Sequence, residues 1–261
     1  MIEILLPTVL AGYVFGVVLS AVGTSKQSRN IHIVANAVYT LTWVVHLWTI
    51  INLALDVGRV PLANVFEYLL VFGWVVLGLY LYIGLRRHVS VVGLVLPPLS
   101  ALSTVAALAI YEPSVPELVG PSIWFLFHTT ISTLGVAILG VAFAMALLYI
   151  AQDHALKSRS APGLLQRLPS LQKCDRVGLE SLIVGFILLT LGIGTGVILN
   201  SNRHSEFLSG GVKQILPLIA WGAFFAVLLA RTWLGYRGRK SAVLTIAGFL
   251  LALASAAGMT L

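Results

Sequence analysis

Residues 122–152 read SIWFLFHTTISTLGVAILGVAFAMALLYIAQ, an apolar run with no charged residue and one histidine, His128, near its start. About 20 apolar residues suffice to span the ~30 Å hydrocarbon core of a bilayer as a helix, so this stretch predicts a transmembrane helix. An ionisable side chain inside such a helix is costly and marks a functional site with a nearby partner. Of the other histidines, His32, His88, His154 and His204 fall in or beside polar connections. His46 is the second one sunk in an apolar run.

The rest of the chain has the same character. Hydrophobic residues make up 59% of it and charged residues 10%, with a mean hydropathy of +0.99, a balance that points to an integral membrane protein. Breaking the sequence at its charges predicts eight membrane-length runs, at 3–23, 31–55, 65–85, 89–111, 122–152, 179–199, 214–233 and 242–260. None alternates apolar with polar residues as a barrel strand does. The expected fold is therefore all-α and polytopic, a single transmembrane domain over 1–261. The first run leads with Glu3 and meets its first cations only at Lys26 and Arg29, the reverse of a cleaved signal peptide. With Cys174 as the one cysteine, the chain makes no internal disulfide and no CxxC site.

Charge placement sets the expected orientation. Thirteen of the sixteen Lys and Arg lie in alternate connections: Lys26 and Arg29; Arg86 and Arg87; Lys157 to Arg176; and Arg231 to Lys240. Those connections read as cytoplasmic, which leaves both termini outside. The net charge of +7 is thus a matter of topology and anionic lipid, with the bilayer as partner and no nucleic acid. In this frame His46 lies nine residues before the end of its run, about 13 Å deep, and His128 six residues past Ser122, about 9 Å deep. Both fall in the outer half of the membrane.

Helix 1 carries Gly12, Gly16 and Gly23, whose spacing suits a close neighbour. Helix 2 sets Tyr39, Trp43, His46 and Ile50 on one face, with Trp48 off it. That face suits either a flat aromatic ligand or a neutral histidine bonded to the next helix. Before helix 3, Asn64 is a good N-cap with Glu67 three residues on, close to a capping box, and Glu67 also meets the positive end of the helix dipole. Glu67 is read both as a cap and as a residue beside a ligand. Pro97 and Pro98 predict that a fourth helix over 89–111 is kinked or opens toward a cavity. Trp124, Phe125 and Phe127 surround His128. Its second ring nitrogen is expected to bond a hydroxyl such as Thr129, Ser132 or Thr133, or a backbone carbonyl. Leu164, Leu165, Leu168 and Leu171 suggest a short interfacial segment in the connection from Asp153 to Arg176. Helix 6 is dotted with Gly185, Gly192, Gly194 and Gly196, which argues for close contact with another helix or a ligand plane.

No phosphate loop, HExxH, GxSxG or paired-carboxylate motif is present, which leaves hydrolysis and ATP-driven chemistry without support. Two buried histidines with aromatics around both and glycine-rich helices leave room for a large planar ligand held by axial imidazoles, such as haem.

Four stretches resemble the cytochrome c assembly family, haem-handling membrane proteins of the CcsA and HemX type. They are GRVPLANVFEYLLVFGW (58–74), FHTTISTLGVAILGVAFAMALLYIAQ (127–152), LQRLPSLQKCDRVGLESLIVGFILLTLGIGTGVI (165–198) and the tail from Lys213, with Trp221, Arg231 and the Gly235-Tyr236-Arg237-Gly238 turn. The resemblance covers helices 2 to 8. It implies that His128 corresponds to an outer haem histidine, His46 to a histidine of an early helix, and Asn64 and Glu67 to the signature before helix 3. The expected cofactor is haem, with His46 and His128 as its iron ligands and Trp43, Trp124, Glu67 and His204 nearby.

Two departures qualify the resemblance. The tryptophan-rich outer loop of the haem synthetases is replaced by ILNSNRHSEFLSGGVKQ (198–214), and their second outer histidine, expected just before Arg231, is Ala230. A complete haem-lyase site is therefore not expected, and the chain is similar to the HemX-like branch. The implied function is haem binding or handling in cytochrome c assembly, in a bacterial-type cytoplasmic membrane. The implied partners are other cytochrome c maturation proteins or a haem-biosynthesis enzyme. The alternative is a membrane scaffold or regulator of haem biosynthesis acting through a partner at the cytoplasmic face.

Overall fold

The computed structural model describes residues 2–87, 90–111, 123–158, 168–201 and 212–257. Among the described residues there are eight α-helices and no strand: α1 (Ile2–Lys26), α2 (Arg29–Val57), α3 (Val65–Arg87), α4 (Leu96–Ala109), α5 (Ile123–Ser158), α6 (Leu171–Ser201), α7 (Val212–Thr232) and α8 (Arg239–Ala257). Seven helical segments, in α1 to α7, are long and apolar enough to cross a membrane. α8 is the eighth helix that the sequence predicts. The chain is a multi-pass membrane protein, and its helices divide into two compact units, α1 to α4 and α5 to α8.

Three boundaries differ from expectation. The fourth helix is not a kinked 89–111 span. A 3-10 turn occupies Ser90–Leu94, and α4 starts at Leu96 with Pro97 and Pro98 in its first turn. Proline has no amide hydrogen, and a helix's first turn is where that loss costs nothing. α5 runs on to Ser158, and α6 begins at Leu171 rather than near 179. Leu171 therefore opens a helix, while Leu164 and Leu165 lie outside the described residues. α2 continues to Val57 and closes on Gly58, whose φ of 70° is left-handed. His46 is then eleven residues from its helix end, or about 16 Å rather than 13 Å.

In the first unit α1 packs along α2 through the predicted glycines. Gly12 leaves room for Thr42 and Gly16 for the Tyr39 ring, where a Cβ would strike α2, and Gly23 lies close to Ile31 and His32, an antiparallel register. Trp48 is exposed, as its place off the helix 2 face predicts.

The second unit is built on α5 against α6, with a strict register. Gly185, Gly192 and Gly196 of α6 face Leu139, Ser132 and His128 of α5, so steps of seven and four along one helix match steps of seven and four along the other. Gly135 of α5 answers with close approach to the backbone of Leu189. Gly185, Gly192 and Gly196 thus serve helix contact, one of those contacts being the histidine, while Gly194 faces open space. At the far end Arg231 of α7 makes a bidentate pair with Asp175 of α6, at 3.0 and 2.9 Å, and donates to Ser241 of α8 at 2.9 Å. That fork ties three helices at the end carrying the basic turn. Ala230 sits beside it in the last turn of α7, so a missing histidine at 230 bears on that end and not on the opposite one.

Candidate functional site

His128 lies five residues into α5, half-buried, with its ring against α6. Nδ1 is 2.8 Å from the carbonyl oxygen of Gly192. A carbonyl only accepts, so Nδ1 carries the hydrogen and donates it, and whenever the ring is neutral its lone pair is on Nε2. Thr195 Oγ1 stands 3.5 Å from Nδ1. Gly196 makes the place for the ring, because a Cβ there would lie 2.8 Å from Cε1 and 3.1 Å from Nδ1.

Of the bonding partners that the sequence allows, the backbone carbonyl is the one found. Thr129 and Thr133 donate instead to Phe125 and Thr129 carbonyls of their own helix. Trp124 is one turn before His128 and exposed, as is Phe127. An imidazole whose Nδ1–H is pinned by a carbonyl is in the tautomer that coordinates a metal through Nε2.

His46 belongs to the first unit and is fully buried, at 0% exposure. Its Nδ1 is 2.9 Å from the hydroxyl of Tyr13, which stands edge-on to the ring. The same hydroxyl reaches the Gly73 carbonyl at 3.4 Å. The contact to Nδ1 is the shorter of the two, and which partner donates there follows the tautomer of the ring. Nε2 makes no hydrogen bond of good geometry, although the backbone carbonyl of Leu70 lies within interaction range of the ring. The ring is enclosed from the α3 side by Gly73, where a Cβ would lie 3.6 Å from Cε1 and 3.2 Å from the Ser100 carbonyl of α4.

The remaining predicted residues take defined places. Trp43 stacks on Trp74, centroids 4.9 Å apart and planes 13° apart, and its Nε1 donates to the Trp74 carbonyl at 3.2 Å. Trp43 thus has another indole as its flat neighbour. Glu67 is fully buried, with Arg59 forked onto both oxygens at 2.8 and 3.1 Å. Its Oε2 also accepts from the Ala63 amide at 2.7 Å, and its Oε1 from Asn64 Nδ2 at 3.2 Å. Asn64 Oδ1 in turn accepts from the Glu67 amide at 2.8 Å, so the N-cap and the carboxylate bond reciprocally. Both oxygens of Glu67 are engaged in this lock. His204 lies outside the described residues.

Sequence reasoning did not single out Tyr13, Arg59 or the Asp175 to Arg231 pair. Tyr13 reads as one more aromatic of an apolar helix, and Arg59 as a loop cation. Only their contacts in the fold reveal them.

A family model described as Cytochrome C assembly protein matches residues 34–258. Three relatives carry the description Cytochrome c biogenesis protein CcsA. The one from Gloeothece citriformis is 27% identical over 248 residues, covering 76% of this chain and 75% of its own. The one from Prochlorococcus marinus is 26% identical over 264 residues, covering 90% and 82%. The one from Guillardia theta is 26% identical over 219 residues, covering 76% and 72%.

Proposed function

The chain belongs to the cytochrome c assembly protein family, and on that premise we propose that it binds haem through Nε2 of His128 and hands or holds it during cytochrome c assembly. The observation that carries this reading is the Nδ1 bond of His128 to the Gly192 carbonyl, which fixes the tautomer and leaves Nε2 on a half-buried ring. Among the described residues no group of three or more His, Cys, Asp or Glu is placed to cage an ion. His128 and His46 are the residues that would hold the haem iron. Bound there, haem would supply an iron centre whose spin state and potential follow its axial ligands.

His46 is the proposed second ligand, its Nδ1 bonded to Tyr13 and its Nε2 without a well-formed hydrogen bond. The α3 backbone at Gly73, which closes on the ring, must give way for that nitrogen to reach iron. His204 is the substitute if they do not. Trp124 is placed to cover one edge of the ligand, while Trp43 and Glu67 act by holding α2 and the start of α3 in place. The proposed setting is a bacterial-type cytoplasmic membrane with both termini outside and a HemX-like role, with partners among cytochrome c maturation proteins or a haem-biosynthesis enzyme. The scaffold or regulator reading draws on the enclosure of His46 and on the indole that already occupies the face beside it.

Protein purified from haem-replete membranes should show a Soret band of six-coordinate, low-spin character. His46→Ala should convert it to a five-coordinate spectrum with haem retained. A folded protein that takes up no haem would favour the scaffold.

A further inference from the structure

The turn between α7 and α8 combines features that the haem reading does not use. Trp233 is 84% exposed and Leu234 66% exposed, directly after the last residue of a membrane-length helix. Arg237, Arg239 and Lys240 follow within seven residues, all exposed. The described carboxylates of the same unit are engaged elsewhere: Asp153 with Lys157, Asp175 with Arg231 and Glu180 with Arg176. None of them pairs with these three cations.

The turn is also held in one shape. Gly235 and Gly238 have φ of 62° and 68°, in the left-handed region. The Tyr236 amide donates to the Ala230 carbonyl at 2.9 Å, and Lys240 Nζ sits 4.9 Å from the centre of the Tyr236 ring. A large indole and a leucine projecting beside three cations match the boundary of a bilayer, where rings sit at headgroup level and cations meet phosphate.

We propose that the turn from Trp233 to Lys240 is a binding site for anionic phospholipid, with Trp233 and Leu234 against the upper acyl chain and Arg237, Arg239 and Lys240 on the headgroup phosphate. Charge complementarity selects an anionic over a zwitterionic lipid here, since surface cations are attracted only by a net negative leaflet. The site lies on the unit that carries His128, at the opposite end of α5 and α6, and its occupancy does not depend on haem.

The test reconstitutes the full chain in phosphatidylcholine nanodiscs containing equal fractions of either brominated phosphatidylglycerol or brominated phosphatidylcholine. Comparison with Trp233→Phe isolates the emission of Trp233. We expect that emission to be quenched at least about fivefold more by the brominated anionic lipid, the factor that one surface cation supplies. A triple Arg237→Gln, Arg239→Gln, Lys240→Gln variant should equalise the two lipids. Equal quenching in the unaltered protein would overturn the proposal, as would an anionic excess that survives the triple variant. Strong quenching by aqueous acrylamide with none by either lipid would also overturn it, and would point to a surface for an acidic protein partner.

Discussion

Glu67→Ala is expected to give the largest loss of stability of any single substitution in the first unit. It removes the carboxylate that faces Arg59, whose side chain is only 5% exposed, and it takes an acceptor from the Ala63 amide and a partner from Asn64. Breaking a buried ion pair from one side costs about 3 to 5 kcal/mol, because the remaining charge stays in a low dielectric. Unfolding followed by circular dichroism in mild detergent, together with protein abundance in the membrane, measures the loss. Replacing both partners, Arg59→Met with Glu67→Leu, should recover much of it, since an apolar pair carries no desolvation penalty. If Glu67→Ala instead leaves stability unchanged and abolishes haem uptake, Glu67 acts on the ligand and not as a lock.

Gly196→Val should act on His128 without touching its chemistry. A Cβ at 196 already overlaps the imidazole, and the valine methyls deepen the clash, so the ring must leave the Gly192 carbonyl or α5 must move from α6. Overpacking of this kind costs about 1 to 3 kcal/mol in stability. Nitrogen-15 NMR of the labelled histidine should show Nδ1 losing its fixed protonation. The haem spectrum should weaken in parallel, while Gly194→Ala, at a position with open space around it, should change neither. A Gly196→Val protein with the wild-type histidine signature would mean that the cradle does not position the ring.

What the sequence makes legible is uneven, and the reasons are physical. Helix existence follows from apolar runs longer than the membrane is thick, so all eight helices stand where hydropathy predicts. The small residues of helices 1 and 6 announce close contact, and Asn64 with Glu67 announces a cap. Helix ends are less legible, since charged residues such as Asp153, Lys157, Lys173 and Asp175 continue α5 and α6 beyond the apolar run. The helical pattern survives where the hydropathy signal stops. Proline is read wrongly at 97 and 98 because a kink and a first turn share the same local sequence, and only the 3-10 segment before Leu96 decides between them.

The site divides in the same way. His46 and His128 are visible as ionisable residues in apolar surroundings, but their bonding partners come from helices 33 and 64 residues away along the chain. Spacing on one helix carries no information about such partners. Tyr13 and the Gly192 carbonyl are therefore found only in the fold. The stacking of Trp43 on Trp74 is hidden for the same reason, since an aromatic stripe at helical spacing reads alike whether it faces a ligand or a second indole.

The measurement closest to the central claim is the absorption spectrum of His128→Gly, shown to be folded and inserted, before and after addition of imidazole. Loss of the His128 ligand should shift the Soret band and lower haem occupancy, and imidazole entering the space left by the side chain should restore the six-coordinate spectrum. A His128→Gly protein that keeps the wild-type spectrum without imidazole would contradict haem ligation by His128.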